Sequence, residues 1–254
     1  MKRLAHYSQY FLRSPRTIKE LIGYSTIKPG DVVYDIGAGS GVISSVLASR
    51  CRQVVAVEVE PRMVKKLREN MAKYPNVTVV EADFLKLELP AEPYKVFANI
   101  PFHLSSPIVR KLTEASRPPQ AIYLVVQKQF ANKLVVDSDS FTGQLGAAIG
   151  PEFAVRIRKR LQKTDFWPHP NVDTVLVELL RREMPLLPTD KMLAYRQFVM
   201  ECFADPKMFA KTPQDEAGLA AGTKPSQMKL DQWIKLFNEQ HKRKKKQGAN
   251  RVNS

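Results

Sequence analysis

Val32-Val33-Tyr34-Asp35-Ile36-Gly37-Ala38-Gly39-Ser40-Gly41, followed by Val42-Ile43-Ser44-Ser45-Val46-Leu47-Ala48, reads as an apolar strand, a glycine-rich turn and an amphipathic helix. Glycines in such a turn permit positive φ and let backbone and ligand approach closely. The spacing is G-x-G-x-G, not the dinucleotide G-x-G-x-x-G, and alone it is compatible with a tight strand-to-helix connection. A second strand, Gln53 to Glu58, ends in a carboxylate about twenty residues after Gly37, where an acid meets ribose hydroxyls in nucleotide-binding α/β folds. A third, starting at Val77, runs into Asp83, and a fourth, Tyr94 to Ala98, runs into Asn99. Either acid alone is compatible with a solvated cap. Together, Gly37, Glu58, Asp83 and Asn99 each follow a successive strand, and open α/β sheets bind ligands at that carboxyl edge.

The stretch Asn99-Ile100-Pro101-Phe102 is suited to grip a planar amine. The Asn99 side-chain carbonyl accepts a hydrogen bond from an exocyclic NH2. Pro101 fixes its own φ and biases Ile100 toward an extended backbone, which holds the Ile100 carbonyl as a second acceptor. Phe102 offers a ring face to a base drawn out of its stack. A simple strand-to-loop turn with a buried Phe is the alternative.

Strands and helices alternate along the chain. Helices are expected near Pro15–Ile22, Gly41–Ser49, Arg62–Lys73, Pro107–Ala115 and Lys128–Val135, with strands beginning near Val32, Gln53, Val77, Val96 and Ala121. This order implies an α/β fold with a mostly parallel sheet covered on both faces. A strand pair, Phe153–Lys163 and Val172–Arg182, closes the domain. Met184-Pro185-Leu186-Leu187-Pro188-Thr189 breaks regular structure. The expected division is 1–184 as the catalytic domain, 185–240 as a small helical RNA-binding domain, and 241–254 as a disordered basic tail.

The chain has 254 residues, of which 44% are hydrophobic, and a net charge of +15 from 40 basic and 25 acidic residues. That excess favours a polyanionic partner, nucleic acid first. There is no lipidation motif or long apolar helix to favour a membrane, and no apolar signal core follows the basic start, so the cytoplasm is the expected compartment. Cys51 and Cys202 are too few and too isolated for a disulfide framework or a zinc site, and no metal is expected. Arg156, Arg158 and Arg160 alternate along one strand and so share a face, either a solvated face or a phosphate-contacting ridge beside the active site. Lys242, Arg243, Lys244, Lys245 and Lys246 begin a tail without acids, expected to be disordered and to touch RNA.

These elements resemble the ribosomal RNA adenine dimethylases, which use S-adenosylmethionine, and among them most resemble the erythromycin-resistance methylases of 23S rRNA. The resemblance covers roughly residues 5 to 182 well. Ser8-Gln9-Tyr10-Phe11-Leu12 matches the family's Gln-x-Phe element, with Tyr10 where Asn or His is more usual. Asp35 to Gly41 matches the cofactor loop, Glu58 the ribose-binding acid, Asp83 the residue meeting the cofactor adenine, and Asn99 to Phe102 the catalytic loop. Phe166-Trp167-Pro168-His169-Pro170-Asn171-Val172-Asp173-Thr174 matches a late Phe-x-Pro-x-Pro-x-Val element. The resemblance implies a Rossmann-like methyltransferase sheet. It implies catalysis by Asn99, Ile100, Pro101, Phe102 and Phe166, with Phe166 as second aromatic at the base. It implies a cofactor site made by Gln9, Phe11, Asp35, Gly37, Gly39, Gly41, Glu58, Asp83 and Asn99. The implied substrate is naked or partly assembled 23S rRNA, bound by a monomer, with macrolide resistance as the outcome. The rivals are a housekeeping small-subunit dimethylase, a DNA adenine methylase and a non-catalytic nucleic-acid-binding relative. Asp205-Pro206-Lys207-Met208-Phe209-Ala210-Lys211 lacks the basic helix entry of the first. Ile100 stands where the second usually has Pro, and intact Glu58, Asp83 and Asn99 argue against the third.

Overall fold

The computed structural model describes residues 10–136 and 141–252, with side chains through 243. Two compact units result, one formed by residues 1–131 and 156–181, the other by 132–155 and 182–254.

The first unit opens with a short strand β1 (Phe11–Leu12) and helix α1 (Pro15–Gly23). Ser14 caps α1 by accepting the Thr17 N–H, and Pro15 supplies a preset φ at the first turn. Then come β2 (Val32–Ile36), α2 (Val42–Leu47), β3 (Gln53–Glu58), α3 (Pro61–Met71), β4 (Val77–Glu81), β5 (Lys95–Asn99), α4 (Ser105–Thr113) and β6 (Ala121–Gln127). Helix α3 repeats the same start, with Glu60 as cap and Pro61 following. The chain continues through α5 (Lys128–Leu134), α6 (Gln144–Ile149), β7 (Phe153–Leu161), β8 (Phe166–Trp167) and β9 (Thr174–Arg181).

Seven strands form one sheet in the order β4-β3-β2-β5-β6-β9-β7, while β1 and β8 make a separate antiparallel ribbon. Strands β4 to β6 are parallel, and β9 runs antiparallel to β6. Strands β3 and β6 are apolar along nearly their whole length because both faces of the sheet are covered. Chain order runs outward from β2 through β3 to β4, then jumps back so that β5 lies on the other side of β2. That is a topological switch point, where open α/β sheets bind ligands. The ladder opens there as well. β2 pairs with β5 only at Val33–Lys95 and Tyr34–Val96, whereas Asp35 and Ile36 pair with β3 and Phe97 to Asn99 with β6. The two strands therefore part toward their carboxyl ends and leave a cleft.

The second unit contains α6 with α7 (Thr189–Ala204), α8 (Pro206–Ala210), α9 (Gln214–Ala217) and α10 (Leu230–Val252). Its core is aromatic, with Trp233, Tyr195, Phe198, Phe209 and Phe237 buried together. Two expectations are corrected. Residues 132–155 join the C-terminal helices rather than the sheet unit, so a boundary at 184 does not separate the units. The segment after 240 is also helical to Val252 rather than irregular, since it simply extends a helix already nucleated in the packed core. Among the described residues no helix is long and apolar enough to cross a membrane.

Candidate active site

The glycine turn follows β2 and is closed by its own hydrogen bonds. The N–H groups of Gly37 and Ala38 both donate to the Val57 carbonyl, at 2.8 and 3.0 Å, and the Gly41 N–H donates to the Ala38 carbonyl. The Gly39 N–H donates to Glu58 Oε2 at 2.8 Å, and Glu58 Oε1 accepts from Val59 and Glu60 at 2.8 and 3.0 Å. A phosphate-binding loop needs free N–H donors. Here the donors of Gly37, Ala38, Gly39 and Gly41 are spent inside the protein, so the turn suits a ligand without phosphates.

The glycines do different work. Gly39 has φ +56, and a Cβ there would come 3.2 Å from the Phe11 ring, so its bareness lets Phe11 close over the turn. Gly41 has φ +90, and its missing Cβ makes room for Leu67 and Met71 of α3 at 2.7 and 2.8 Å. Gly41 thus has a packing role in the turn.

Asp35 is fully buried beneath the turn. Its Oδ2 accepts from the Ser44 hydroxyl at 2.6 Å, while Oδ1 has no partner. Burial pushes its carboxyl up to about 7, against the lowering effect of Ser44 and with a small push from Glu58. Glu58 is 3% exposed and already accepts three backbone N–H groups, which leaves it one unused lone-pair direction. Asp83 is half-buried and accepts from the Leu85 N–H, which turns the chain after β4.

Asn99 ends β5. Its Nδ2 donates to the Tyr10 carbonyl at 2.5 Å, so its Oδ1 is the acceptor left over. Tyr10 in turn packs on Phe102, ring centroids 5.3 Å apart. Ile100 is buried, and Pro101 has φ −58 and ψ 127. A cavity is lined by Tyr10, Phe11, Leu12, Gly37, Ser40, Asn99, Pro101 and Phe102. A second shares Gly37 and Pro101 and is walled by Glu58, Val59, Asp83, Phe84, Leu104 and Ile108. Val59, 54% exposed, was not anticipated. The signal was available in a large apolar residue directly after the acid that ends β3.

Phe11, Asp35, Gly37, Gly39, Glu58, Asp83, Asn99 and Phe102 thus converge on one sheet edge, while Gln9 lies outside the described residues. Phe166 does not join them. Opposite Leu12 in the ribbon, it is fully buried in the core and has no free face, which corrects its expected place at the base; Trp167, next to it, is 59% exposed. The arginine ridge is not beside the cleft either. Strands β6 and β9 separate β7 from β5, roughly 14 Å at ordinary strand spacing. Arg156, Arg158 and Arg160 are exposed, with Arg158 3.6 Å from Glu178. In the second unit Lys242 pairs with Glu239 and Arg243 with Glu216, at 2.8 and 2.7 Å. The side chains of Lys244, Lys245 and Lys246 lie outside the described set. Among the described residues no group of three or more His, Cys, Asp or Glu is placed to hold a metal.

Comparison with known proteins shows the family. A model of the ribosomal RNA adenine dimethylases matches residues 2–209. An rRNA adenine N-6-methyltransferase of Saccharopolyspora erythraea is 31% identical over 96% of this chain and 67% of its own length. A ribosomal RNA small subunit methyltransferase A of Latilactobacillus sakei is 28% identical over 94% of this chain and 91% of its own. The crystal structure of the 23S rRNA methyltransferase ErmE superposes with a TM-score of 0.79 at 31% identity, covering 91% of this chain and 99% of that one. The chain therefore belongs to the ribosomal RNA adenine dimethylase family, as an S-adenosylmethionine-dependent rRNA adenine-N6 methyltransferase.

Proposed function

We propose that this enzyme methylates an adenine of 23S rRNA, in naked or partly assembled large subunits, and so confers resistance to macrolides, lincosamides and streptogramin B. The observation that carries the proposal is the likeness to ErmE, which extends over nearly all of that chain. The similarity to a small-subunit methyltransferase keeps a housekeeping reading as the rival.

The residues fit the cofactor. The turn offers bare backbone with the N–H donors of Gly37, Ala38, Gly39 and Gly41 already engaged, Glu58 keeps one acceptor direction for a ribose hydroxyl, and Asp35 Oδ1 is an unused buried acceptor. Val59 and Phe84 give apolar walls to an adenine ring, with Asp83 at its rim. Phe11 closes over Gly39. When bound, S-adenosylmethionine supplies an electrophilic sulfonium methyl.

The chain's own task is the amine. An adenine N6 lone pair is delocalised into the ring and is a poor nucleophile. Asn99 Oδ1 accepts one N–H and the Ile100 carbonyl accepts the other, drawing the nitrogen toward a tetrahedral shape. Tyr10 holds the Asn99 amide in that orientation through the bond from Nδ2. Pro101 fixes the Ile100 carbonyl, and Phe102 stacks on the base. Such a site works through positioning and fixed dipoles, and the last proton leaves to solvent.

Expression in a macrolide-sensitive bacterium tests this. Resistance is expected to rise, and Asn99→Ala is expected to abolish it by lowering turnover at least ~100-fold. Unchanged sensitivity, with small-subunit adenine methylation restored in a strain lacking it, would replace this reading by the housekeeping one.

A further inference from the structure

Trp167 is the outlier of the sheet unit's surface, an indole 59% exposed next to a Phe that is fully buried. Its register explains where it points. In the ribbon Phe11 stands opposite Trp167, and Leu12 opposite Phe166. Directly opposed residues share a face. Leu12 and Phe166 take the buried face, so Trp167 shares the other with Phe11; Phe11 and Leu12 both line the cavity holding Asn99 and Phe102. Arg13, two residues beyond Phe11, falls on that face too, and its guanidinium lies 5.5 Å from the Trp167 ring centroid. The indole is braced from the side. His169 meets it edge-on at 5.9 Å, with its own Nδ1 2.9 Å from the Lys163 carbonyl oxygen, and the Arg13 N–H donates to the Asp165 carbonyl.

We propose that Trp167 and Arg13 form a stacking platform for a nucleotide of the RNA that flanks the target adenine. Unpaired bases stack on exposed aromatic rings and on guanidinium planes. Trp167 is not a wall of the cavity around Asn99, so the base on it lies outside that cavity and is a neighbour of the adenine. Arg13 adds a cation for the adjoining phosphate. The platform rests on the reading of the Asn99 edge as the adenine site.

The test uses a hairpin transcript containing an adenine that the wild-type enzyme methylates, from whichever ribosomal subunit that proves to be. The chain has two tryptophans, and the other, Trp233, is fully buried, so quenching on RNA binding reports Trp167. Quenching is expected in the wild type. Trp167→Phe should lose it while keeping RNA affinity within about threefold, and Trp167→Ala should raise RNA Kd and KM about tenfold. Affinity for S-adenosylmethionine and turnover of bound RNA should not change. Arg13→Ala should also flatten the salt dependence by ~0.7. An abasic nucleotide beside the target should remove the quench, and one at the target should leave it. An unchanged Kd in Trp167→Ala, or a quench lost only with the target base, overturns the platform. Failure of the Asn99 reading is seen separately, as normal turnover in Asn99→Ala.

Discussion

At the scale of single residues, two buried carboxylates under one turn have opposite fates. Glu58 accepts three backbone N–H groups, whereas Asp35 has one hydroxyl and an empty oxygen. Glu58 is therefore a brace for the loop as well as an acceptor for ligand, a double duty that strand-end position alone does not reveal. Asp35 couples stability to pH. Its folded value of about 7 lies above the ordinary 3.8, so between those values the native state holds a proton that the unfolded chain has released. Its contribution favours the native state at low pH and fades as pH rises through that window. Asp35→Asn mimics the protonated form. In urea denaturation without cofactor, the variant should gain about 2–3 kcal/mol on the wild type between pH 5 and 8. A difference that stays constant with pH would show that Asp35 is ionised throughout.

At the scale of elements, the turn and its helices act as one packed joint. Gly41 combines φ +90 with Leu67 and Met71 in the space of its missing Cβ, while a Cβ on Gly37, φ +70, would meet only Pro101 at an ordinary 3.7 Å. Gly41→Ala should therefore cost about 2–4 kcal/mol, and Gly37→Ala about 1–2, the left-handed backbone alone. Equal losses in chemical denaturation would contradict the packing role. The same elements show what sequence pattern reveals. Strands β3, β5 and β6 are legible from their apolar runs because they are buried on both faces. Helix α6 is not legible, since Gln144-Leu145-Gly146-Ala147-Ala148-Ile149 carries a glycine and small residues and forms against packed partners. The far end of α10 is polar and has no apolar stripe to announce it. Phe166 was misplaced because its face depends on pairing with Leu12, far away in sequence.

At the scale of the whole molecule, the excess of fifteen positive charges is the term that gathers RNA. Deleting residues 241–254 removes six Lys and Arg and no acid. If those residues meet phosphates, RNA affinity should fall and its salt dependence flatten by ~0.7 per lost contact on single strands, with S-adenosylmethionine affinity unchanged. An identical salt slope would mean that they are only solvated. The self-bonded turn after β2 has a consequence for life in a crowded cell. ATP and the nicotinamide dinucleotides carry adenosine too, and they are abundant. With the donors of Gly37, Ala38, Gly39 and Gly41 spent, the loop gives their charged tails little to bind, and the Glu58 carboxylate beside it repels them. Competition from these adenosine compounds for the S-adenosylmethionine pocket is therefore expected to be weak.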